Sequence, residues 1–373
     1  MTRHSVPVGR IFGISISLDY SWFLIFVLFT WALASSYYPA AYPTWSRAEY
    51  WFMGAITALM FFGCVLLHEL GHSAVAIRYH IPVRSITLFI FGGVSQIEGE
   101  PHNAGEEFWV AIAGPAVSGA LAVGFTLLRP AVAGVSPLSA LVTYLAYING
   151  ALAVFNLIPG FPLDGGRVLR AILWRSTHSL RKATIAAATV GRFIGFVFIV
   201  WGVAQIFGGQ PGNGLWIAFI GWFLENAASA QVQQQIVGSL LAGHTASEAM
   251  NPHYVSAPPS THLQDLVDRH LLGSGSRAVM ITKDGQAIGM VTVHQIAGVP
   301  RDKWSTTTAA DAMTPLARMK RIRPTTGLWE AIRKMDHDGV NQLPVTEDGR
   351  ILGVLTRADV IGYLRTLREL ETA

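Results

Sequence analysis

The chain has 373 residues, 51% of them hydrophobic and 13% charged, with a formal net charge of +4. Soluble domains carry about 25% charged residues, so this composition excludes an ordinary soluble globule, and without a basic stripe it gives no nucleic-acid surface. The single cysteine, Cys64, excludes an intrachain disulfide and a cysteine-rich zinc knuckle.

The first ten residues are basic and no small-residue cleavage site follows them, so no removable signal peptide is expected. Residues 11–18 alternate apolar with small or polar side chains and predict a strand ahead of the first span. Six apolar stretches, at residues 20–36, 50–77, 108–128, 138–158, 183–207 and 215–230, are long enough or nearly long enough to cross a bilayer as helices. Tyr37, Tyr38, Tyr42, Trp45, Tyr50 and Trp51 form a headgroup belt around the first loop. Of the 50 Asp, Glu, Lys and Arg residues, 21 lie in residues 1–243 and 29 in the last 130, so a membrane domain precedes a soluble one. Arg3 and Arg10 precede the first span, Arg78 and Arg84 follow the second, and Arg167, Arg170, Arg175, Arg181 and Lys182 lie between the fourth and fifth. The opposite loops carry only Arg47 and Arg129, so the positive-inside bias places the N-terminus and the C-terminal domain in the cytoplasm.

The second stretch contains His68-Glu69-Leu70-Gly71-His72, with no charge between Trp51 and His68. Four residues apart on a helix, His68 and His72 share a face and can bind one zinc. Glu69 stands beside them, free to take the proton from a zinc-bound water. Ionisable side chains at membrane depth are costly, which favours function over chance for this cluster. Residues 85–97 then give two β-rich runs around Gly92-Gly93 and predict a hairpin. It is too apolar for a free loop and is expected to dip toward the membrane, buried in protein. Phe91, Gly92 and Gly93 at its turn make it either a docking strand for an extended substrate or a packing element.

Two histidines leave a catalytic zinc one protein ligand short. Glu106 and Glu107 open the third span, where they can supply a carboxylate or complement the helix dipole. Asp164 is the better candidate: it ends Asn156-Leu157-Ile158-Pro159-Gly160-Phe161-Pro162-Leu163-Asp164 directly after the fourth span. The prolines break the helix there, and irregular backbone at membrane depth is tolerated where it lines a site. Capping of a following helix at 165–174 is the other reading of Asp164. Arg192 and Glu225, in the fifth and sixth spans, are expected to pair or to snorkel and are given no catalytic role.

Residues 244–373 contain a repeat. Ser247-Glu248-Ala249-Met250-Asn251-Pro252 recurs as Ala310-Asp311-Ala312-Met313-Thr314-Pro315, and Gly289-Met290-Val291-Thr292 as Gly353-Val354-Leu355-Thr356. Each copy reads strand, helix, strand, Asp-Gly turn, strand, helix, and two copies suggest a paired module rather than a solenoid.

HELGH in one span, Ala113-Gly114-Pro115 in the next and NLIPGFPLDGG after the fourth resemble the site-2 protease family of intramembrane zinc metalloproteases, over roughly residues 9–230. The resemblance implies His68, His72 and Asp164 as ligands of one catalytic Zn2+ and Glu69 as general base. It also implies that Asn149 holds substrate or the oxyanion, although a lone amide in a span is equally an interhelical hydrogen bond. The tandem repeat resembles a pair of CBS domains, which implies an ATP- or AMP-type regulatory nucleotide at Thr356 and Asp359; turn and capping chemistry is their other reading. The first copy departs from that pattern, having Val293, His294 and Gln295 after Thr292 and no aspartate.

The expected architecture is thus a polytopic α-helical membrane protein with a short β element (1–243), followed by a cytoplasmic α/β tandem module of two CBS domains (244–305 and 306–373). The resemblance implies cleavage of a single-pass membrane protein, such as an anti-sigma factor or a membrane-tethered transcription factor, in or beside its transmembrane segment, and a homodimer through the CBS pair. The alternative is a non-catalytic nucleotide-gated transporter or scaffold with a structural metal.

Overall fold

The computed structural model describes residues 5–97, 101–273 and 276–372; Arg3, used above for orientation, lies outside them. The chain divides into two compact units, Met1–Gln235 and Ile236–Ala373.

In the first unit, strands β1 (Ser5–Ile11) and β2 (Ile14–Asp19) form a hairpin where a single strand at 11–18 was expected. Phe12 and Gly13, both at positive φ, turn the chain between them. Asp19 caps α1 (Tyr20–Ala41) by accepting from Ser21 N at 2.9 Å. A Ser46–Glu49 capping box starts α2 (Arg47–Arg78). Then follow β3 (Val83–Phe89) and β4 (Gly92–Ile97), the expected hairpin. Helices α3 (Ala104–Val132), α4 (Ser136–Asn156), α5 (Asp164–Thr177), α6 (Leu180–Phe207) and α7 (Pro211–Leu241) complete the series. Among the described residues, five helices, α1 to α4 and α6, are long and apolar enough to cross a membrane. The sixth expected stretch is also helical, within α7, where Glu225 and Asn226 interrupt its apolar run.

The four strands form one sheet in the order β1-β2-β3-β4, with β2 and β3 parallel and β4 at an edge. Ile14, Ile86 and Leu88 from this sheet pack with Trp22 of α1 and with Phe62 and Val65 of α2. This apolar contact fixes the hairpin alongside the helix that carries both histidines.

The second unit shows the repeat as paired structure. Leu263, Val279, Ile281 and Val291 build one core, and Leu328, Leu343, Val345 and Leu355 build the other at nearly constant offset. The Asp284-Gly285 and Asp348-Gly349 turns both have positive φ, as a two-residue hairpin requires. The copies also exchange edges. Thr314–Pro315 (β6), which opens the second copy, pairs with β5 (Gln286–Thr292) of the first, and Asn251 of the first bridges to Val354 in β7 (Arg350–Thr356) of the second.

Candidate metal centre

His68 and His72 lie one turn apart on α2, each about 4% exposed, with their Nε2 atoms 3.2 Å apart. The turn at 157–163 carries Asp164 back to them, so that its Oδ2 lies 3.1 Å from both Nε2 atoms. Asp164 is the first residue of α5 and Leu163 occupies the cap position, so the carboxylate is not a helix cap. Among the described residues, these three form the one His/Cys/Asp/Glu group spaced to hold a metal ion.

The outer hydrogen bonds decide which ring nitrogens face the centre. His72 Nδ1 donates to Val110 O at 2.7 Å, and His68 Nδ1 lies 2.8 Å from Ser118 Oγ. A carbonyl can only accept, so His72 carries its proton on Nδ1 and turns the Nε2 lone pair inward, as a metal ligand needs. The set fits zinc: two imidazoles and a carboxylate give the three protein ligands of a catalytic site, and tetrahedral ligands about 2.0 Å from zinc lie about 3.3 Å from each other. Gly114 makes the fit possible, because a Cβ there would fall 2.2 Å from His72 Nε2 and 2.6 Å from His68 Nε2.

Glu69 is outside this trio. Ser95 Oγ, on edge strand β4, donates to Glu69 Oε2 at 3.0 Å. A Cβ on Gly93 would lie 2.4 Å from Glu69 Cγ, so the hairpin backbone rests directly on the carboxylate arm. Gly93→Ala is expected to push Glu69 or the hairpin aside and to lower peptide hydrolysis more than tenfold while zinc content stays unchanged. Proteolysis assays paired with metal analysis check this, and loss of zinc would show that the clash reaches the histidines instead.

A model of peptidase family M50 matches residues 56–135 and 130–200, and the CBS-domain model matches 246–301 and 309–366. The Mycobacterium tuberculosis protein named "Putative zinc metalloprotease Rip3" is 36% identical over 371 residues, 98% of this chain and 94% of its own. A Synechocystis protein, sll0528, named in the same words, is 35% identical over 98% of this chain and 96% of its own. This chain belongs to peptidase family M50, the site-2 proteases. A solved structure titled as the site-2 protease from Methanocaldococcus jannaschii is 28% identical and covers 61% of this chain and 95% of its own, with a TM-score of 0.42.

In this M50 zinc metalloprotease the other candidate residues take defined partners. Glu106 is engaged locally, accepting from His102 N and Asn103 Nδ2. Glu107 is not in the metal group but lies in the first turn of its helix, as dipole charge does; it is also fully buried, and its Oε1 accepts from Arg167 Nε at 3.2 Å and Arg170 Nη2 at 2.5 Å. Asn149 is also fully buried, and its Nδ2 donates to Leu145 O of its own helix at 2.8 Å. That bond uses one of the two Nδ2 hydrogens and leaves the other for a second acceptor. Arg192 Nε and Glu225 Oε1 pair at 3.3 Å between α6 and α7. At the hairpin turn, Phe91 stacks on Phe223 with ring centroids 4.4 Å apart, while Gly92 and Gly93 begin β4.

In the CBS pair, Thr356 N and Oγ1 donate to Asp359 Oδ2 at 2.8 and 2.6 Å, and Asp359 N donates to Thr356 Oγ1. This is a capping box at the start of α9 (Arg357–Thr372), which follows α8 (Leu328–Asp338). Thr292 and Gln295 repeat the box in the first copy, where Gln295 Nε2 also donates to Thr314 Oγ1 on β6.

Proposed function

We propose that this membrane metalloprotease cuts a single-pass membrane protein in or beside its transmembrane segment, with His68, His72 and Asp164 as zinc ligands and Glu69 as general base. The observation that carries the reading is the convergence of the three ligand atoms next to Glu69, under an edge strand. Bound zinc supplies a Lewis acid for the scissile carbonyl and an acidified water. Ser95 holds Glu69 Oε2, which leaves Oε1 to accept the proton of the attacking water and return it to the leaving amine. A helical substrate hides its carbonyls in hydrogen bonds and must unwind first. The free edge of β4, from Gly92 and Gly93 with Phe91 at the turn, receives it as an added strand.

Residues 1–243 are the protease domain in this reading, and the CBS domains at 244–305 and 306–373 face the cytoplasm with the N-terminus. A membrane-anchored regulator is the substrate, which makes the reaction a step in regulated intramembrane proteolysis. Two chains pair through the CBS module. An ATP- or AMP-type nucleotide binds at Thr356 and Asp359, once per chain, because Gln295 replaces the ribose-accepting carboxylate in the first copy and is tied to Thr314. Asp359→Ala should weaken AMP and ATP binding at least tenfold by calorimetry and leave zinc stoichiometry intact; unchanged affinity would remove the nucleotide from this site.

The function is tested by quantitative mass spectrometry of membrane-protein fragments from cells carrying this chain or its Glu69→Gln variant. Single-pass proteins that accumulate uncut in the variant establish the activity and name the substrates. Identical fragments under conditions in which the relevant regulators are known to be processed would overturn the assignment.

A further inference from the structure

One face of α3 touches or approaches every part of the metal set. Glu107, Val110, Gly114 and Ser118 follow each other at helical spacing and fall within one stripe. Val110 O orients His72, Ser118 orients His68, and Gly114 leaves the room in which both rings meet. Glu107 begins the stripe and grips α5 instead, through Arg167 and Arg170. Those arginines stand three and six residues after Asp164 on the same helix. The third ligand is therefore tied to α3 as well, by an ion cluster rather than by a direct hydrogen bond.

We propose that Glu107 is a positioning residue for Asp164: through Arg167 and Arg170 it sets the advance of α5 toward α2, and so the place of the third ligand. This rests on the reading of Asp164 as a ligand. Bulk stability is a poor explanation for the cluster. A buried ion pair is often matched or bettered by apolar side chains of similar volume. Here the cluster is also imperfectly satisfied, since Glu107 Oε2 and Arg170 Nε lack hydrogen-bond partners. What the cluster supplies is direction. Two arginine donors converging on one carboxylate oxygen restrict both the rotation and the translation of α5. Arg170 is held from its other side by the Phe161 ring, 5.2 Å from its Cζ, in the turn that leads to Asp164.

The test is a double-mutant cycle on zinc affinity, measured by chelator competition on the full-length protein in detergent. Removing an outer partner of a ligand generally lowers metal affinity by about 10–100-fold, and Glu107→Gln is expected to fall in that range. In an Asp164→Asn background the same substitution should change affinity less than about threefold, because coupled sites are non-additive. Ser118→Ala, which acts through His68, should keep its full effect in that background. The Co2+-loaded protein adds a spectroscopic reading, in which Glu107→Gln shifts the visible bands in the direction that Asp164→Asn does. Unchanged zinc affinity in Glu107→Gln, or an equal loss with and without Asp164, would overturn the proposal. If Asp164→Asn itself leaves affinity unchanged, the ligand reading fails instead. Should Glu107→Gln not fold, Arg167→Lys, at a partly exposed position, runs the same cycle with the same expected non-additivity.

Discussion

Gly114→Ala is expected to empty the metal centre and abolish hydrolysis. The added methyl would sit 2.2 Å from His72 Nε2 and 2.6 Å from His68 Nε2, well inside van der Waals contact. A flexible side chain elsewhere could swing away. These rings cannot do so cheaply, because each is held at Nδ1 by a group on α3, the helix that would carry the methyl. Relief requires breaking those hydrogen bonds or separating α2 from α3, and either move takes the Nε2 atoms off their converging geometry. Metal analysis of the purified variant should find zinc near zero. Gly119→Ala on the same helix is the control, since a Cβ there meets nothing within 4 Å and should leave zinc and activity intact. Full zinc occupancy in Gly114→Ala would contradict the described approach of α3 to the histidines.

Glu69→Gln is expected to separate binding from chemistry. A positioned general base contributes about 10²–10⁴-fold in rate, and the amide cannot accept the proton, so hydrolysis should fall by about that factor. Zinc content should stay near the wild-type value, because Glu69 contributes no atom to the ligand trio. The amide oxygen can still accept from Ser95 Oγ, so the hairpin should remain seated. Single-turnover cleavage of a reconstituted substrate, read with metal content on the same preparation, checks both halves. Retained hydrolysis would move the base role to another group, and loss of zinc would make Glu69 part of the metal set. A transporter or scaffold carrying a structural metal would show neither the rate loss nor any dependence on the carboxylate.

Much of this was legible along the chain because local spacing is enough to express it. The four-residue separation of His68 and His72 puts both on one helix face whatever surrounds them. The apolar lengths fix helices, the Asp-Gly pairs fix turns, and the matching Met-x-Pro and Gly-x-x-Thr segments reveal a duplicated module. Asp164 was nominated by its place after two prolines, although its capping alternative stayed open until the structure put Leu163 at the cap position. The N-terminal hairpin was half legible: the alternation of residues 11–18 was visible, but the turn at Phe12-Gly13 was hidden by an aromatic residue at a position where positive φ is uncommon.

Glu107 shows what spacing does not express. As one of two acids at a helix start it reads as dipole charge, and nothing in the chain ties it to Arg167 and Arg170 some 60 residues later. Likewise Ser118 and Ser95 are ordinary small residues until helices and strands distant in sequence are brought against the histidines and Glu69. For Asn149 the chain left substrate holding and an interhelical hydrogen bond both open, and the structure shows Nδ2 donating within its own helix, to Leu145 O. The sequence by itself nominated the groups: two histidines, a carboxylate, a neighbouring glutamate and a duplicated C-terminal module. Tertiary structure alone decided how those groups are aimed. Aim depends on contacts between helices distant in sequence, and those contacts follow from close packing and hydrogen-bond satisfaction across α2, α3 and α5 rather than from any periodicity within one of them.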